Sequence, residues 1–267
     1  MTTAAGGGGF DGLAGAPPGS APPAGIRTLS APSERTTRVV LIRHGEAVCN
    51  VSGVCGGPEG CKGLTEVGRA QVEALRARLS VTGELAGADV LYASVLPRAI
   101  ETAEILAPAL TAAGLPVGMA TGSAPVRPPE IVTECGLCEL HPGDADGLTW
   151  TEFTETFGTL DWDADPGRPI APAGESWTGF VNRVDAMLDT LASRHRGQLV
   201  VVACHAGVIE ASLLAKVPAA GGLTGARLQL RTRHASMTSW EIDDGRWRLV
   251  GFNDVAHHLM GRGPGSG

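Results

Sequence analysis

Runs of continuous apolar residues alternate along this chain with stretches in which apolar positions recur every three or four residues. "RVVLI" is apolar without interruption, which predicts a buried strand. "LTEVGRAQVEALRARLS" predicts a helix, with Thr65 as its N-cap and Gly68, Val72, Leu75 and Leu79 on one face. "DVLYAS" predicts a second strand. "VLPRAIETAEILAPAL" then predicts a helix capped by Ser94, with Pro97 tolerated in its first turn and Leu96, Ile100, Ala103 and Leu110 sharing a face. Roughly residues 121–174 break the rhythm with Pro-rich loops and one short helix opening on a Thr149–Glu152 capping box, and read as an insertion. "ESWTGFVNRVDAMLDTLASRH" restores it, with Trp177, Val181, Val184, Leu188 and Leu191 on one stripe and Gly197 placed to end the helix. "QLVVVAC" predicts a strand that ends in His205, Ala206 and Gly207, followed by helical "VIEASLLAKV". "ASMTSWEI" and "RWRLVGF", separated by "DDG", predict a hairpin. The expected fold class is α/β: three layers, α/β/α, around a mostly parallel central sheet with an inserted lid segment.

Composition changes this picture at the ends. Residues 1–36 are a Gly, Ala, Pro and Ser mixture too poor in large apolar groups to offset the entropy of ordering, and are expected to be a disordered tail. Residues 37–260 are expected to form one domain and 261–267 a flexible C-terminal tail. No stretch is apolar for the ~20 residues of a membrane span, and the start lacks the cationic and apolar regions of a secretory signal. The expected location is cytoplasmic, with no membrane partner. A formal net charge of −7 without any basic stripe argues against a nucleic-acid partner.

The 6 cysteines are expected to be reduced and mostly buried. Cys135 and Cys138 have the C-x-x-C spacing of a zinc clip, but a lone C-x-x-C is weak and the spacings of Cys49, Cys55, Cys61 and Cys204 fit no familiar ligand pattern. No metal and no cofactor is expected.

In an open α/β sheet the ligand crevice lies beyond the carboxyl ends of the strands. His44 follows one strand, Ser94 and Arg98 a second, and His205 a third, so residues distant in sequence would converge. Arg offers a rigid fork of donors matched to phosphate oxygens. Two guanidiniums with two imidazoles therefore point to a phosphoryl group. Arg43, Arg98 and a protonated His205 could compensate the charge spread over the equatorial oxygens, while an unprotonated nitrogen of His44 attacks phosphorus. A carboxylic acid is still needed to protonate the departing alkoxide.

"LIRHGEAVCN", "LYASVLPRAIETAEIL", "CELHPGDADGLTWTEF", "PAGESW", "VVACHAGVIE", "HASMTSWEI" and "FNDVAHHL" resemble, in order and spacing, the blocks of the histidine phosphatase, or phosphoglycerate mutase-like, superfamily. The resemblance implies that fold, with a metal-independent phosphatase acting on a small-molecule phosphate monoester through phosphohistidine. It implies His44 as nucleophile, Arg43 and Arg98 as phosphate clamps, His205 as second phosphate-binding histidine and Asn50 as a further phosphate or substrate contact. Glu134 and Glu139 are both candidates for the acid, and the family's spacing to Gly147 selects Glu139. Glu46 becomes a support for the phosphate pocket. His195, His257 and His258 are expected to be structural, and Trp150, Trp162 and Trp177 to serve packing.

Ala145 stands where many members have an aromatic residue, and His234 where many have an asparagine. No "ERHYG"-like block is present, which tilts the reading from a phosphoglycerate-type mutase towards a phosphatase. A non-catalytic phosphate-binding protein would be expected to lack the nucleophile or a clamp. Acids crowd the insertion, among them Asp144, Asp146, Glu152, Asp161 and Glu175, and fit either a lid that selects a substrate whose remainder is neutral or cationic or simply a solvated face. The oligomeric expectation is a monomer or homodimer.

Overall fold

The computed structural model describes residues 36–111, 128–217 and 230–260. The expected tails, apart from Thr36, and the start of the insertion lie outside these residues. Strand β1 (Thr37–Arg43) leads through a short helix α1 (Val48–Ser52) into helix α2 (Glu66–Thr82). Strand β2 (Val90–Ala93) leads into helix α3 (Pro97–Leu106), and strand β3 is Ile131–Thr133. Helices α4 (Trp150–Phe157) and α5 (Trp177–Arg194) precede strand β4 (Leu199–Cys204) and helix α6 (Ala206–Lys216). Strands β5 (Met237–Asp243) and β6 (Arg246–Asp254) form the hairpin, followed by the short helix α7 (His257–Met260).

The sheet runs β3-β2-β4-β1-β5-β6, parallel from β3 to β1 and antiparallel from β1 to β6. Strand alternation splits each apolar run between two layers. Val40, Ile42, Leu91, Ala93 and Val201 pack on the α2 and α3 side, with Val72, Leu75 and Leu79. Val39, Leu41, Tyr92, Val200 and Val202 pack on the other, against Phe180, Val184, Leu188 and Val208 of α5 and α6. Burial on both faces is why these strands read as unbroken apolar runs.

Register positions the site. Arg43 pairs with Cys204, and Ala93 with Ala203, so β1, β2 and β4 end almost level. The residues that follow, His44, Ser94 and His205, leave the sheet side by side. His44 N–H donates to the Cys204 carbonyl at 2.9 Å and Ser94 N–H to the Ala203 carbonyl at 3.1 Å, which carries the pairing just past the apolar runs.

Thr65 caps α2 by accepting from Gly68 N–H, and Gly68, Val72, Leu75 and Leu79 are its buried face, as the pattern predicts. The Asp244–Gly245 turn, with φ of 47° and 73°, joins β5 to β6 as the "DDG" signal requires. Helix α3 differs. Its N-cap is Leu96, not Ser94, and the helix ends at Leu106 before a 3₁₀ turn over Ala107–Leu110, where Pro108 has no N–H to continue it. Helix α1 and strand β3 are too short for periodicity to reveal.

Residues 134–174 build a small cluster of their own in which Ala145, Phe153, Ile170 and Ala171 pack with Cys55. Ala145 is thus fully buried in this satellite core. Asp146 fastens the cluster to the segment after α1: its carboxylate accepts from Gly57, Glu59 and Gly60 N–H at 2.8, 2.8 and 2.9 Å.

Candidate active site

His44, 3% exposed, is fixed by its neighbour in sequence. Its Nδ1 lies 2.6 Å from the Gly45 carbonyl, which can only accept, so Nδ1 carries the proton and Nε2 keeps a lone pair. Gly45 N–H donates to Thr102 Oγ1, and any side chain at Gly45 would strike the Gly68 backbone of α2. The tight turn after β1 therefore needs glycine.

Arg98 rises from the first turn of α3, 4% exposed, and its Nε–H is shared between His44 Nε2 and His205 Nδ1, both at 3.2 Å. Its Nη1 donates to the Gly56 carbonyl at 2.7 Å. His205 is fully buried, with its ring centroid 5.1 Å from that of His44. Because Nδ1 accepts from Arg98, Nε2–H donates to Ser94 Oγ at 2.7 Å. Ser94 Oγ also accepts from Leu96 N–H, and its own proton goes to Cys138 Sγ at 3.6 Å. Ser94, expected as a helix cap, is instead the group that orients His205.

Burial holds both histidines well below the ordinary imidazole range, with the Arg98 charge adding to it. His44 is thus neutral at neutral pH, as a nucleophile requires. The same causes hold the His205 ring neutral at neutral pH.

Arg43 donates from Nη1 to the Thr232 carbonyl at 2.6 Å, while its buried Nε has no hydrogen-bond partner among the described residues. His234 comes to 5.9 Å from the His44 ring, carried by the turn at Ala235, whose φ is 55° and whose N–H donates to the Arg43 carbonyl. Burial, followed by the Arg43 charge, lowers its pKa to about 4, so it adds a neutral ring.

A cavity of about 420 Å³ opens over these groups, lined by Arg43, His44, Asn50, Arg98, Glu139 and Glu210 among others. Asn50 Oδ1 is taken by Ala47 N–H, which leaves the amide nitrogen for a ligand. Glu139 lies on the N-terminus of α6, its carboxylate accepting from Gly207 N–H at 3.1 Å and Leu140 N–H at 3.2 Å. A side chain at Gly207 would collide with that carboxylate. Glu134 is not among the residues that line this cavity. Glu46 accepts from Thr65 Oγ1 at 2.8 Å and so ties the turn after His44 to the start of α2.

Sequence reasoning missed Glu210. It sits one helical turn after Ala206, and burial together with the neighbouring Glu139 raises its pKa to about 7. Its i, i+4 spacing from that residue at the helix start was the available signal. The acids of the insertion are used otherwise. Asp146 holds a loop, Glu152 closes the α4 capping box, and Glu175 pairs with Arg183. Trp150, Trp162 and Trp177, expected to serve packing, all line the cavity, with Trp162 stacked on Trp177.

The chain is similar to known proteins. Residues 39–255 match the family model described as "Histidine phosphatase superfamily (branch 1)". The chain is 28% identical over 224 residues to a metal-independent phosphoserine phosphatase of Arabidopsis thaliana, covering 83% of each. It is 27% identical over 227 residues to phosphoglycerate mutase-like protein 4 of the same plant, covering 82% of this chain and 86% of the relative. Among solved structures, a mycobacterial glucosyl-3-phosphoglycerate phosphatase complexed with VO3 superposes with a TM-score of 0.61 at 25% identity, covering 81% of this chain and 98% of that one.

Proposed function

Because the chain belongs to the histidine phosphatase superfamily, we propose that it is a phosphatase that hydrolyses a small-molecule phosphate monoester, without a metal in the chemistry, through phosphohistidine on His44. The observation that carries this reading is the His44 ring. Its Nδ1 proton is committed to Gly45, and its buried Nε2 lone pair accepts from Arg98 Nε–H at the cavity.

A phosphoryl group displacing the Arg98 Nε contact would stand in line with Nε2. The lone pair forms the N–P bond while the ester P–O bond breaks, and Glu139 in its acid form gives its proton to the departing alkoxide. Water then attacks phosphorus, losing a proton to the Glu139 carboxylate, and the N–P bond breaks to release phosphate. Arg98 and the unpartnered Nε of Arg43 supply donors for the equatorial oxygens, with Asn50 at the rim. A dianion beside His205 favours its protonation, so its charge arrives with the substrate.

Glu139 and Glu210 are the acids on the cavity wall. Two carboxyls there disfavour a remainder that carries carboxylate or a second phosphate, and three tryptophans favour a neutral or cationic one. This argues against a phosphoglycerate-type mutase, the nearer alternative. The proposal extends to a cytoplasmic location, a monomer or homodimer, and no nucleic-acid or membrane partner. Among the described residues no helix is long and apolar enough to cross a membrane. The domain is proposed to span 37–260, with the insertion as a lid.

The test is phosphate release from a panel of phosphate monoesters without added divalent metal, wild type against His44→Ala. Release by wild type alone supports the reading. Equal release, or return of the phosphoryl group to a hydroxyl of the substrate, contradicts it.

A further inference from the structure

The fold turns the C-x-x-C pair into a fuller constellation. Residues Cys135, Cys138 and His141 lie on one loop as C-x-x-C-x-x-H, and their ligand atoms all fall within 4.8 Å of one another. Cys135 Sγ is 3.4 Å from His141 Nε2. A tetrahedral zinc ion with Zn–S of about 2.3 Å and Zn–N of about 2.05 Å sets its S and N ligands about 3.6 Å apart, close to that separation. The spacing in sequence was too weak to suggest a site because the third ligand stands outside the familiar patterns.

The surroundings are those of a metal-bound histidine. The other nitrogen of His141, Nδ1, faces Glu175 Oε2 at 3.5 Å, and a carboxylate behind the ring is the usual device for aiming a ligand nitrogen at a metal. Glu175 is itself held by Arg183 through both oxygens at 2.7 Å and by His141 N–H at 2.9 Å. Arg183 also donates to the carbonyls of Cys135, Gly136, Cys138 and Glu139, which fixes the loop in this shape. Cys138 is buried and receives the Ser94 hydroxyl proton, a contact that strengthens when sulfur is a thiolate. By contrast, no third ligand atom joins the buried Cys49 and Cys61 among the described residues.

We propose that Cys135, Cys138 and His141 form a structural zinc site, with Glu175 behind His141 and solvent at the fourth, exposed position. Binding releases the two thiol protons to solvent and leaves a neutral Zn(Cys)₂His unit. The zinc takes no part in phosphoryl transfer. It braces the loop that carries Glu139 and, through Cys138 and Ser94, the ring of His205. That link to catalysis rests on the roles proposed above, whereas the site itself does not.

The experiment uses the full chain, reduced, stripped with a chelator and dialysed, then titrated with zinc against a chromophoric zinc chelator. One zinc per chain is expected. Cys135→Ser and His141→Ala should each lose stoichiometric binding, Glu175→Gln should weaken it about tenfold to a hundredfold, and Cys49→Ser with Cys61→Ser should leave it unchanged. Folding of each variant is checked by circular dichroism, and Cys135 is exposed, so its replacement leaves the core intact. Cobalt(II) offers a second readout, a thiolate charge-transfer band that disappears in Cys135→Ser. Zinc below stoichiometric level in wild type, or binding indifferent to Cys135 and His141, overturns the proposal. Neither result depends on whether phosphate esters are hydrolysed.

Discussion

Arg98→Gln separates the charge of Arg98 from its bulk. The native guanidinium is 4% exposed and spends one N–H on two histidine rings at 3.2 Å and another on the Gly56 carbonyl at 2.7 Å. Gln keeps a donor but loses the cation that faces the phosphoryl oxygens. Loss of one positioned donor from such a site costs about 10²–10³ in rate, equivalent to roughly 3–4 kcal/mol, and a cation in a buried site belongs at the upper end. The variant should fold, since the orphaned Gly56 carbonyl costs only about 1–3 kcal/mol. It also carries a pH signature. Burial first and Arg98 second hold His44 below its ordinary range, so removing the charge raises its pKa. His44 attacks only when neutral, hence the acid limb of kcat/KM should move to higher pH. Arg98→Lys keeps a charge without the fork, so it should retain the acid limb while still losing rate. The assay is kcat/KM from pH 4.5 to 8.5 with one ester. Activity of Arg98→Gln within about threefold of wild type, with an unmoved acid limb, would refute the clamp.

Glu210→Gln should leave phosphoryl transfer largely intact but remove a pH-dependent preference. With a pKa near 7, Glu210 gains its charge as pH rises through neutrality, so KM for an amine-bearing ester should fall above pH 7 in wild type and stay flat in the variant. Identical KM profiles would rule the residue out as a selector. Gly207→Ala should displace the Glu139 carboxylate it would touch and lower kcat about tenfold to a hundredfold with little change in melting temperature. Unchanged kcat would remove Glu139 from its post on α6. Asp146→Ala leaves three loop N–H groups without their acceptor and should cost roughly 2–3 kcal/mol in denaturant unfolding. A loss under 0.5 kcal/mol, by the same rule, would mean solvent replaces it fully.

Much of this was legible because the central strands are buried on both faces and end in polar residues. "VVLI" before Arg43 and His44, and "VVVAC" before His205, place their catalytic candidates wherever the sheet stops, and register does the rest. The resemblance to a family gave Glu139 its role. Ser94 was misread because its position before Pro97 suits a cap, while the pull on its side chain comes from His205, distant in sequence. Glu210 hid in an apolar helix as an ordinary surface acid. His141 was invisible as a ligand because only the 3₁₀ turn over Cys135–Leu137 folds it back over the cysteines.

The central claim is a covalent phosphoryl group on His44. Rapid quenching of the enzyme with ³²P-labelled ester, followed by peptide mapping under alkaline conditions that preserve phosphohistidine, tests it most directly. The account predicts acid-labile label on the peptide containing His44, formed no slower than phosphate is released and absent in His44→Ala. Phosphate release at full rate with no label on that peptide would contradict it.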